Sequence, residues 1–310
     1  MTAFEDFVEL QKHVPATTLH LGETRIARAL AALRPAIDVP VDLPKLHRCH
    51  LATAWCARRG MPAAWSARAL VCEGVRAALA LIFGGIRDER VAIPRDVYPV
   101  YWQLAERAGL SAIPIDTFPE LRFADARYLV LPCPFKLHGR AWTTAELTAA
   151  RCWLAEDASR RLILDGVYSF DAAIAPEVVA LIETDQVIYL DSLSKSWLYE
   201  KVFGTAVVPA QDAARWTPLF RAAAPSQAAL FTARALLEAP VAVEAELAVR
   251  RTRTLAALAA RGLTPRAPAR GYFIPIEIDA RLALDRHDVL LIPFAVFGGT
   301  APWSFASALT

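Results

Sequence analysis

Two neighbouring stretches of the sequence constrain the fold most, because each ends a short apolar run with polar side chains. The runs are residues 162–164 and 187–190, and both are rich in β-forming residues. The polar side chains that follow them are Asp165, Tyr168, Asp191, Ser192, Ser194, Lys195 and Lys201. Open α/β sheets bind ligands at the carboxyl ends of their strands. We therefore expect these side chains to form a binding site.

From residue 69 onward, strand-like and helical segments alternate along the chain. The strand-like segments read ALVC, RVAI, SAIPI, YLVLP, RLILD, VIYLD and TAVVP. The helical segment TTAELTAARCWLAED begins with a threonine cap, and Glu146 follows close behind it. Nearly continuous apolar strands that alternate with helices indicate an α/β fold with a mainly parallel sheet covered on both faces.

The length and composition leave room for one large domain and a smaller one. The chain has 310 residues, of which 55% are hydrophobic and 21% charged, as in a globular protein with a substantial core. After residue 212 the sequence pattern changes to alanine-rich helical segments, followed by a second group of strand-like segments, GYFIPIEI, VLLIP and WSFAS. We predict an N-terminal segment (1–40) that packs with the small domain, a large cofactor-binding domain (41–212) and a small α+β C-terminal domain (213–310).

The charge and the termini favour a cytoplasmic protein that acts on small molecules. A formal net charge of +2 gives no basis for expecting nucleic acid or a membrane surface as partner. The start FEDFVELQKH lacks the pattern of a signal peptide, and the apolar runs are shorter than a membrane span. Five cysteines, an odd number in a long chain, indicate a reducing compartment.

One cluster of metal-binding residue types is interpreted as part of a helix. His47, Cys49, His50 and Cys56 lie close together in the sequence, but no second pair follows at a recognisable spacing. We therefore predict no metal site.

The two polar strand ends have the chemistry of a pyridoxal phosphate (PLP) site. A desolvated lysine such as Lys195 is the group that forms Schiff bases. Asp165 ends the preceding strand, where a carboxylate could keep the pyridine nitrogen of PLP protonated. Tyr168 could donate a hydrogen bond to the ring phenolate, and the phosphate could be held by Ser192, Ser194 and Lys201.

The spacing of these residues resembles the class I/II aminotransferase family of fold-type I PLP enzymes. Asp-x-x-Tyr is followed, thirty residues after the aspartate, by Ser-x-Ser-Lys and then by a basic residue and a glycine. Most of the chain takes part in this resemblance. It implies the fold-type I fold, a homodimer and an aminotransferase that acts on an amino acid or related amine through an internal aldimine on Lys195.

The resemblance also assigns roles outside the two strand ends. The turn at Gly74 and Val75 would receive the phosphate on its backbone N–H groups, with Arg76 in support. Tyr98 would stack on the pyridine ring, and Tyr272 would flank the substrate. By contrast, Tyr101 and Trp102 are expected only to pack the following helix.

The sequence departs from the family at three places. Lys201 stands where the family has a phosphate-binding arginine. The loop 131–139 lacks the asparagine that would contact the ring phenolate, and His138 or Lys136 could substitute for it. At 302–305 the sequence Pro-Trp-Ser-Phe replaces Arg-x-Ser-Phe, so the arginine that clamps the substrate carboxylate is missing. Arg25 is our first replacement candidate and Arg270 the second.

The missing clamp keeps other functions open. A PLP-dependent decarboxylase, lyase or cyclising enzyme of a specialised pathway would use the same cofactor, because orientation at the substrate carbon decides which bond breaks. A non-catalytic PLP-fold binding protein is the remaining alternative, and the retained lysine, acid and tyrosine argue against it.

Overall fold

The structure, a computed structural model, describes residues 3–87, 89–97, 99–171 and 173–310. Within these ranges the α-helices are α1 Ala3–His13, α2 Ile26–Ala29, α3 Arg48–Arg58, α4 Val75–Gly85, α5 Val100–Arg107, α6 Thr144–Ala155, α7 Pro176–Ile182, α8 Leu193–Ser196, α9 Ala213–Ala222, α10 Gln227–Glu238, α11 Val243–Ala260 and α12 Ala280–His287. Short 3-10 helices occur at Ala31–Leu33, Ala63–Arg68, Ala210–Asp212 and Phe294–Phe297.

The strands in the described residues form one large sheet and two small ones. They are β1 Leu19–His20, β2 Ala69–Cys72, β3 Arg90–Pro94, β4 Ser111–Ile115, β5 Tyr128–Pro132, β6 Arg161–Asp165, β7 Val187–Ser192, β8 Gly204–Val207, β9 Phe273–Ile276, β10 Val289–Leu290, β11 Ile292–Pro293 and β12 Ser304–Ser307. The large sheet has the order β2-β8-β7-β6-β5-β3-β4. The small sheets have the orders β1-β10 and β11-β12-β9.

The large sheet is mainly parallel and is covered on both faces, as the sequence predicts. Strands β4, β3, β5, β6 and β7 pair in parallel, and only β8 runs antiparallel to its neighbours β7 and β2. Helices α3, α6, α7 and α10 bury apolar side chains on one face, and helices α4, α5 and α9 do so on the other. Burial on both faces explains why these strands are apolar at nearly every position.

The two small sheets bring the N-terminal residues onto the C-terminal part of the chain. Strand β1 pairs in parallel with β10, with Leu19 opposite Val289. Phe7 and Leu21 belong to one apolar cluster with C-terminal residues such as Phe305. The predicted domain boundaries at residues 40 and 212 remain a prediction.

Local signals in the sequence act as their physical chemistry requires. Helix α6 begins with a capping box, in which the Thr143 side chain accepts from the Glu146 N–H and the Glu146 side chain accepts from the Thr143 N–H.

Among the described residues, no helix combines the length and the apolar character that a membrane crossing needs.

A backbone contact between two glycines joins β8 to the turn before α4. Gly204 pairs with Cys72 of β2 on one side and with Ser192 of β7 on the other. A Cβ atom added to Gly204 would lie 2.4 Å from the Cα of Gly74. Gly74 itself has a φ of 143°, a conformation open to glycine alone. The turn and the strand can approach this closely only because neither residue has a side chain.

We expect Gly204→Ala to destabilise the protein by about 1–3 kcal/mol, the usual range for overpacking, because the new methyl group meets backbone that cannot move aside. Gly84→Ala, inside helix α4, is the matched control, since a Cβ there has nothing within 4 Å. It should be neutral or stabilising by about 0.5–1 kcal/mol. Urea unfolding of both variants measures the difference, and equal stabilities would contradict the close contact.

Candidate active site

The carboxyl ends of three parallel strands lie side by side in the large sheet. Pro132 of β5 is in register with Asp165 of β6, and Asp165 is in register with Leu190 of β7. The polar residues that follow these strands therefore gather at one edge of the sheet. They include the predicted residues Asp165, Ser192 and Lys195, and also Lys136 from the loop after β5.

Asp165 is a buried acid held by two donors. Its side chain is 4% exposed, and its Oδ1 accepts from the Val167 N–H at 3.0 Å. Its Oδ2 accepts from the hydroxyl of Tyr101. Burial raises the pKa of the Asp165 carboxyl to about 6, although both hydrogen bonds oppose this shift. A negative charge at this position therefore needs a positive partner.

Tyr101 is a site residue that the sequence analysis missed. It packs within the apolar cluster of α4 and α5, as expected, but its hydroxyl also reaches the Asp165 carboxylate across the sheet. Burial and the nearby Asp165 charge raise the pKa of the Tyr101 phenol well above its ordinary value, so it remains a donor. The helical spacing of apolar residues in α5 predicts that Tyr101 faces the core. It does not predict that the Tyr101 hydroxyl contacts Asp165 of β6.

Asp191 has a different role from Asp165, although both lie at strand ends. It packs on the opposite face of the sheet, where the Arg59 Nε lies 2.7 Å from its Oδ2. Both side chains are almost fully buried. Arg59 also donates to the carbonyl oxygens of Asp171 and Ser169. The ion pair joins the residue after α3 to β7, and the hydrogen bonds of Arg59 hold the loop after β6. Both lie on the face of the sheet opposite Asp165.

The residues around the Gly74 turn form a cradle with hydrogen-bond donors. Helix α4 starts after Gly74, whose position has no side-chain cap, so the first N–H groups of the helix have no partner within it. The hydroxyls of Ser192 and Ser194 lie 2.7 Å apart. Gly204 brings this end of β7 against the turn. Backbone donors at a helix N-terminus beside two hydroxyls are suited to an anion such as a phosphate.

Lys195 lies in the short helix α8, directly after β7 and next to the cradle. Its side chain is 24% exposed, and its Nζ is 3.6 Å from Oε1 of Glu200, which is itself largely exposed. The amine is therefore accessible while one carboxylate stands close to it. Glu200 is a second neighbour that the sequence analysis did not single out.

Lys136 brings a second amine to the site. Its Nζ lies 4.9 Å from the ring centre of Tyr168, 4.7 Å from that of Phe273 and 5.3 Å from that of Phe297. Burial and the charge of Lys195 lower the pKa of the Lys136 amine to about 7, and Asp165 opposes this shift. The charges of both residues predicted to carry the chemistry, Lys195 and Asp165, thus act on the Lys136 amine.

Two tyrosines line the approach to the site. Tyr168 lies in the turn after β6, half-buried, and its ring centre is 6.1 Å from that of Tyr272. Tyr272 is buried and packs on Phe273. Both line one cleft together with Lys136.

Other predicted cofactor-binding residues lie at the border of the cradle or outside the described residues. Val75 is buried as the first residue of α4, and Arg76 is exposed as the second. Lys201 is exposed three residues before Gly204 and has a φ of 58°. Tyr98, the predicted stacking residue, lies outside the residues that the structure describes.

The predicted substrate-binding residues other than Tyr272 are not brought together. Arg25 is 68% exposed, and its Nε lies 3.4 Å from Glu23. The Nε2 of His138 is 2.6 Å from the Thr117 carbonyl oxygen, and its ring packs edge-on against Phe118. Arg270 lies at the mouth of the cleft, where its guanidinium pairs with Asp171.

The C-terminal strand presents an aromatic residue near the position where the family has its arginine. Pro302 is exposed, and Trp303 is buried with its ring centre 5.0 Å from that of Phe118. The guanidinium carbon of Arg266 lies 4.5 Å from the Trp303 ring centre. This part of the site is thus closed by packed rings.

The residues present fit pyridoxal phosphate on three independent grounds. The buried Asp165 carboxyl needs a cation, which a protonated ring nitrogen supplies. The Gly74 turn and the end of β7 can lie this close only because a Cβ atom on Gly204 would clash with the Gly74 backbone, so the shape of the cradle depends on the absence of that side chain. Lys195, in the helix that follows β7 directly, offers a partly exposed amine.

Comparisons with solved structures agree with this architecture. The chain is similar to an aromatic aminotransferase from Pyrococcus horikoshii, with 19% identity, a TM-score of 0.72 and coverage of 99% of this chain and 94% of the other. The chain is also similar to an aspartate aminotransferase from Rhizobium meliloti, with 14% identity and a TM-score of 0.75. This match covers 99% of this chain and 90% of the other. An aspartate aminotransferase from Thermotoga maritima has 14% identity and a TM-score of 0.73, and the match covers 100% of this chain and 93% of the other. No protein-family model and no curated protein matches the chain.

This likeness shows the fold. Nearly the whole chain has the α/β architecture of these aminotransferases. The fold class predicted from the sequence is thereby confirmed.

Asp165→Asn should stabilise the cofactor-free protein at pH 8. The pKa of Asp165 is raised from 3.8 to about 6, so its contribution to stability is present below pH 3.8 and is lost as the pH rises through 6. An uncharged amide avoids this loss, which is on the order of 2–3 kcal/mol. Urea unfolding between pH 4 and pH 8 should show the advantage growing with pH.

Asp42→Asn is the control for this prediction, because Asp42 is an exposed loop residue. It should follow the wild type across the whole pH range. If Asp165→Asn were no more stable than the wild type at pH 8, the burial of a costly carboxylate would be contradicted.

Proposed function

We propose that this chain is a PLP-dependent aminotransferase that acts on an amino acid or a related amine. The observation that carries the proposal is the juxtaposition of a buried acid, an accessible lysine and an anion cradle at adjacent strand ends. Asp165, Lys195 and Ser192 are the residues that define it. The aminotransferase fold of the chain supports the same function.

The cradle would hold the phosphate. The Ser192 and Ser194 hydroxyls would donate to the phosphate oxygens, and the N–H groups that open α4 at Val75 and Arg76 would complete the contact. Lys201 would add a point charge from the turn before β8, without the two-pronged geometry of an arginine.

Asp165 would hold a proton at the ring nitrogen. Its two oxygens are oriented by Tyr101 and by the Val167 N–H, so the carboxylate cannot turn away from the ring. When bound, the cofactor supplies an electron-withdrawing ring that stabilises negative charge on a substrate carbon that has lost a proton. A proton kept at the ring nitrogen by Asp165 makes that withdrawal stronger.

Lys195 would have two tasks. Its Nζ would hold the cofactor covalently, and once the substrate amine has replaced it, the same nitrogen would remove and return the proton at the substrate carbon. Glu200, 3.6 Å from this nitrogen, would help to position it.

The remaining assignments concern the ring and the assembly. Tyr168 would donate to the ring phenolate, and Tyr98 would stack on the ring. Tyr272 would close the approach from the side of β9. A homodimer and a cytoplasmic location are part of the same proposal, and each remains a prediction.

Adding PLP to the purified protein should produce an absorbance band near the edge of the visible range, and Lys195→Ala should abolish it. Removing the amine leaves no nitrogen at that position to bond the cofactor covalently. Lys12→Ala, an exposed lysine of α1, is the control and should retain the band. An unchanged spectrum in Lys195→Ala would show that the cofactor is bound elsewhere.

A decarboxylase is the second candidate, because Pro302 and Trp303 replace the arginine and aromatic packing fills that region. Incubating the PLP-loaded protein with an amino-acid mixture distinguishes the two reactions. An aminotransferase converts amino acids into 2-oxo acids and retains the carboxyl carbon, so we expect 2-oxo acid without carbon dioxide. Carbon dioxide released in step with amine formation would contradict the aminotransferase and support the decarboxylase.

A further inference from the structure

One small cleft of about 10 Å³, room for about one water molecule, is lined in part by Lys136. Among the described residues that line it, Lys136, Arg140 and Arg270 carry positive charge and none is acidic. Aromatic residues, among them Tyr168, Tyr272 and Phe273, supply much of the remaining wall. Cationic and aromatic lining residues favour an anionic group over a neutral one at this place.

Both arginines of the cleft are already held by carboxylates. Arg140 forms a two-pronged ion pair with Glu146, with both N–O distances at 2.8 Å. Arg270 pairs with Asp171. These contacts fix the guanidinium groups as structural parts of the wall and neutralise much of their charge toward an incoming ligand.

Lys136 differs from the arginines in its surroundings and in its position. Its Nζ lies over the rings of Tyr168, Phe273 and Phe297, at 4.7 to 5.3 Å from their centres. Ring faces stabilise a buried ammonium, because they attract a cation electrostatically. Removal of water by this aromatic wall strengthens the attraction between the ammonium and any anion that enters the cleft.

The position of Lys136 also relates it to the proposed chemistry. The charges that act on its amine are those of Lys195 and Asp165, and Tyr168 lies directly beneath it. A molecule with an amine near Lys195 and an anionic group near Lys136 would lie across the strand ends.

We propose that Lys136 is the cation that receives the carboxylate of the substrate, which makes the substrate an amino acid and not a simple amine. The inference rests on the proposed function for the site at Lys195. It assigns to the loop after β5 the task that an arginine of the C-terminal strand would otherwise perform. It also places the specificity of the enzyme in Lys136, a residue separate from the lysine that bonds the cofactor.

Carboxylate binding should be coupled to proton uptake. In the cofactor-free protein, burial and, as the smaller cause, the charge of Lys195 lower the pKa of the Lys136 amine to about 7. Burial persists when Lys195 bonds the cofactor, so part of the amine is expected to be neutral at pH 8 before binding. A bound carboxylate favours the charged form and draws a proton from solvent. The other titratable or charged groups facing it are Asp165, Lys195, Tyr168, Tyr272, Arg140 and Arg270.

The test is calorimetric titration of propionate into the PLP-loaded protein at pH 6 and pH 8, in two buffers of different ionisation enthalpy. We expect propionate to bind, with more proton uptake at pH 8 than at pH 6. Lys136→Met should weaken binding by at least about tenfold, as loss of a charged hydrogen-bond partner does. Lys136→Arg should bind propionate at both pH values without proton uptake, because arginine is always charged. Propionamide, the uncharged counterpart, should bind weakly to all three proteins.

Two control variants make the outcome decisive. Lys12→Met removes an exposed lysine and should bind propionate as the wild type does. If Arg25→Met abolished binding while Lys136→Met retained it, the carboxylate would meet Arg25 and the proposal would be overturned. Equal affinities of the wild type and Lys136→Met for propionate would also overturn it.

Failure of this inference can be told apart from failure of the proposed function. The titration needs no turnover, and it is repeated on Lys195→Ala, in which no covalent bond to the cofactor can form. An aminotransferase without a carboxylate site at Lys136 would show the absorbance band but no effect of Lys136→Met on binding. A protein without the band but with Lys136-dependent binding would retain the anion site and lose the proposed reaction.

Discussion

The burial of the Asp165 carboxylate is the constraint on which the rest of the site depends. A 4% exposed acid with two donors still has its pKa raised to about 6, because hydrogen bonds recover only part of the lost hydration. The surrounding residues compensate in a consistent way: Tyr101 and the Val167 N–H donate to it, and the charge of Lys136 favours its ionised form. A protonated ring nitrogen beside Asp165 would supply the rest of the stabilisation that its negative charge loses on burial. Cofactor binding and the ionisation of Asp165 are therefore expected to favour each other.

Strand parity explains why two similar aspartates have different surroundings. Asp165 is in register with Leu190, so Asp191 lies one residue further along the neighbouring strand and points to the opposite face. There it is neutralised by Arg59, an arginine that is itself fully buried and holds the loop after β6. One acid is thus satisfied within the protein and shapes the scaffold. The other is left with an electrostatic need that a ligand can meet.

The sequence predicts the scaffold well because local signals and the global fold agree. Apolar strands that alternate with helices can be buried on both faces only in a mainly parallel sheet, and the Thr143 capping box is a purely local interaction. Tyr101 could not be identified in the same way, because the meeting of its hydroxyl with Asp165 depends on how α5 packs across the sheet. Lys136 lies in an irregular loop, so sequence spacing could not show that its amine rests over Tyr168, Phe273 and Phe297. The sequence shows which chemical groups the site can contain, but it does not show where the side chains of Tyr101 and Lys136 point.

The aromatic packing around the C-terminal strand leaves no place there for a charged side chain, which is consistent with the proposal that Lys136, in the loop after β5, supplies the positive charge. Trp303 packs edge-on against Phe118, which in turn contacts Phe294 and Phe305, so this side of the site is a continuous aromatic wall. A charged side chain in that wall would lose its hydration and force the rings apart. Lys136 reaches the same region from the large sheet and rests on the faces of Phe273 and Phe297. The aromatic wall and the lysine are therefore complementary: the wall removes water, and the lysine supplies the charge whose effect that removal strengthens. A substitution in either one should alter the selectivity of the site without disturbing the acid and the lysine at the strand ends.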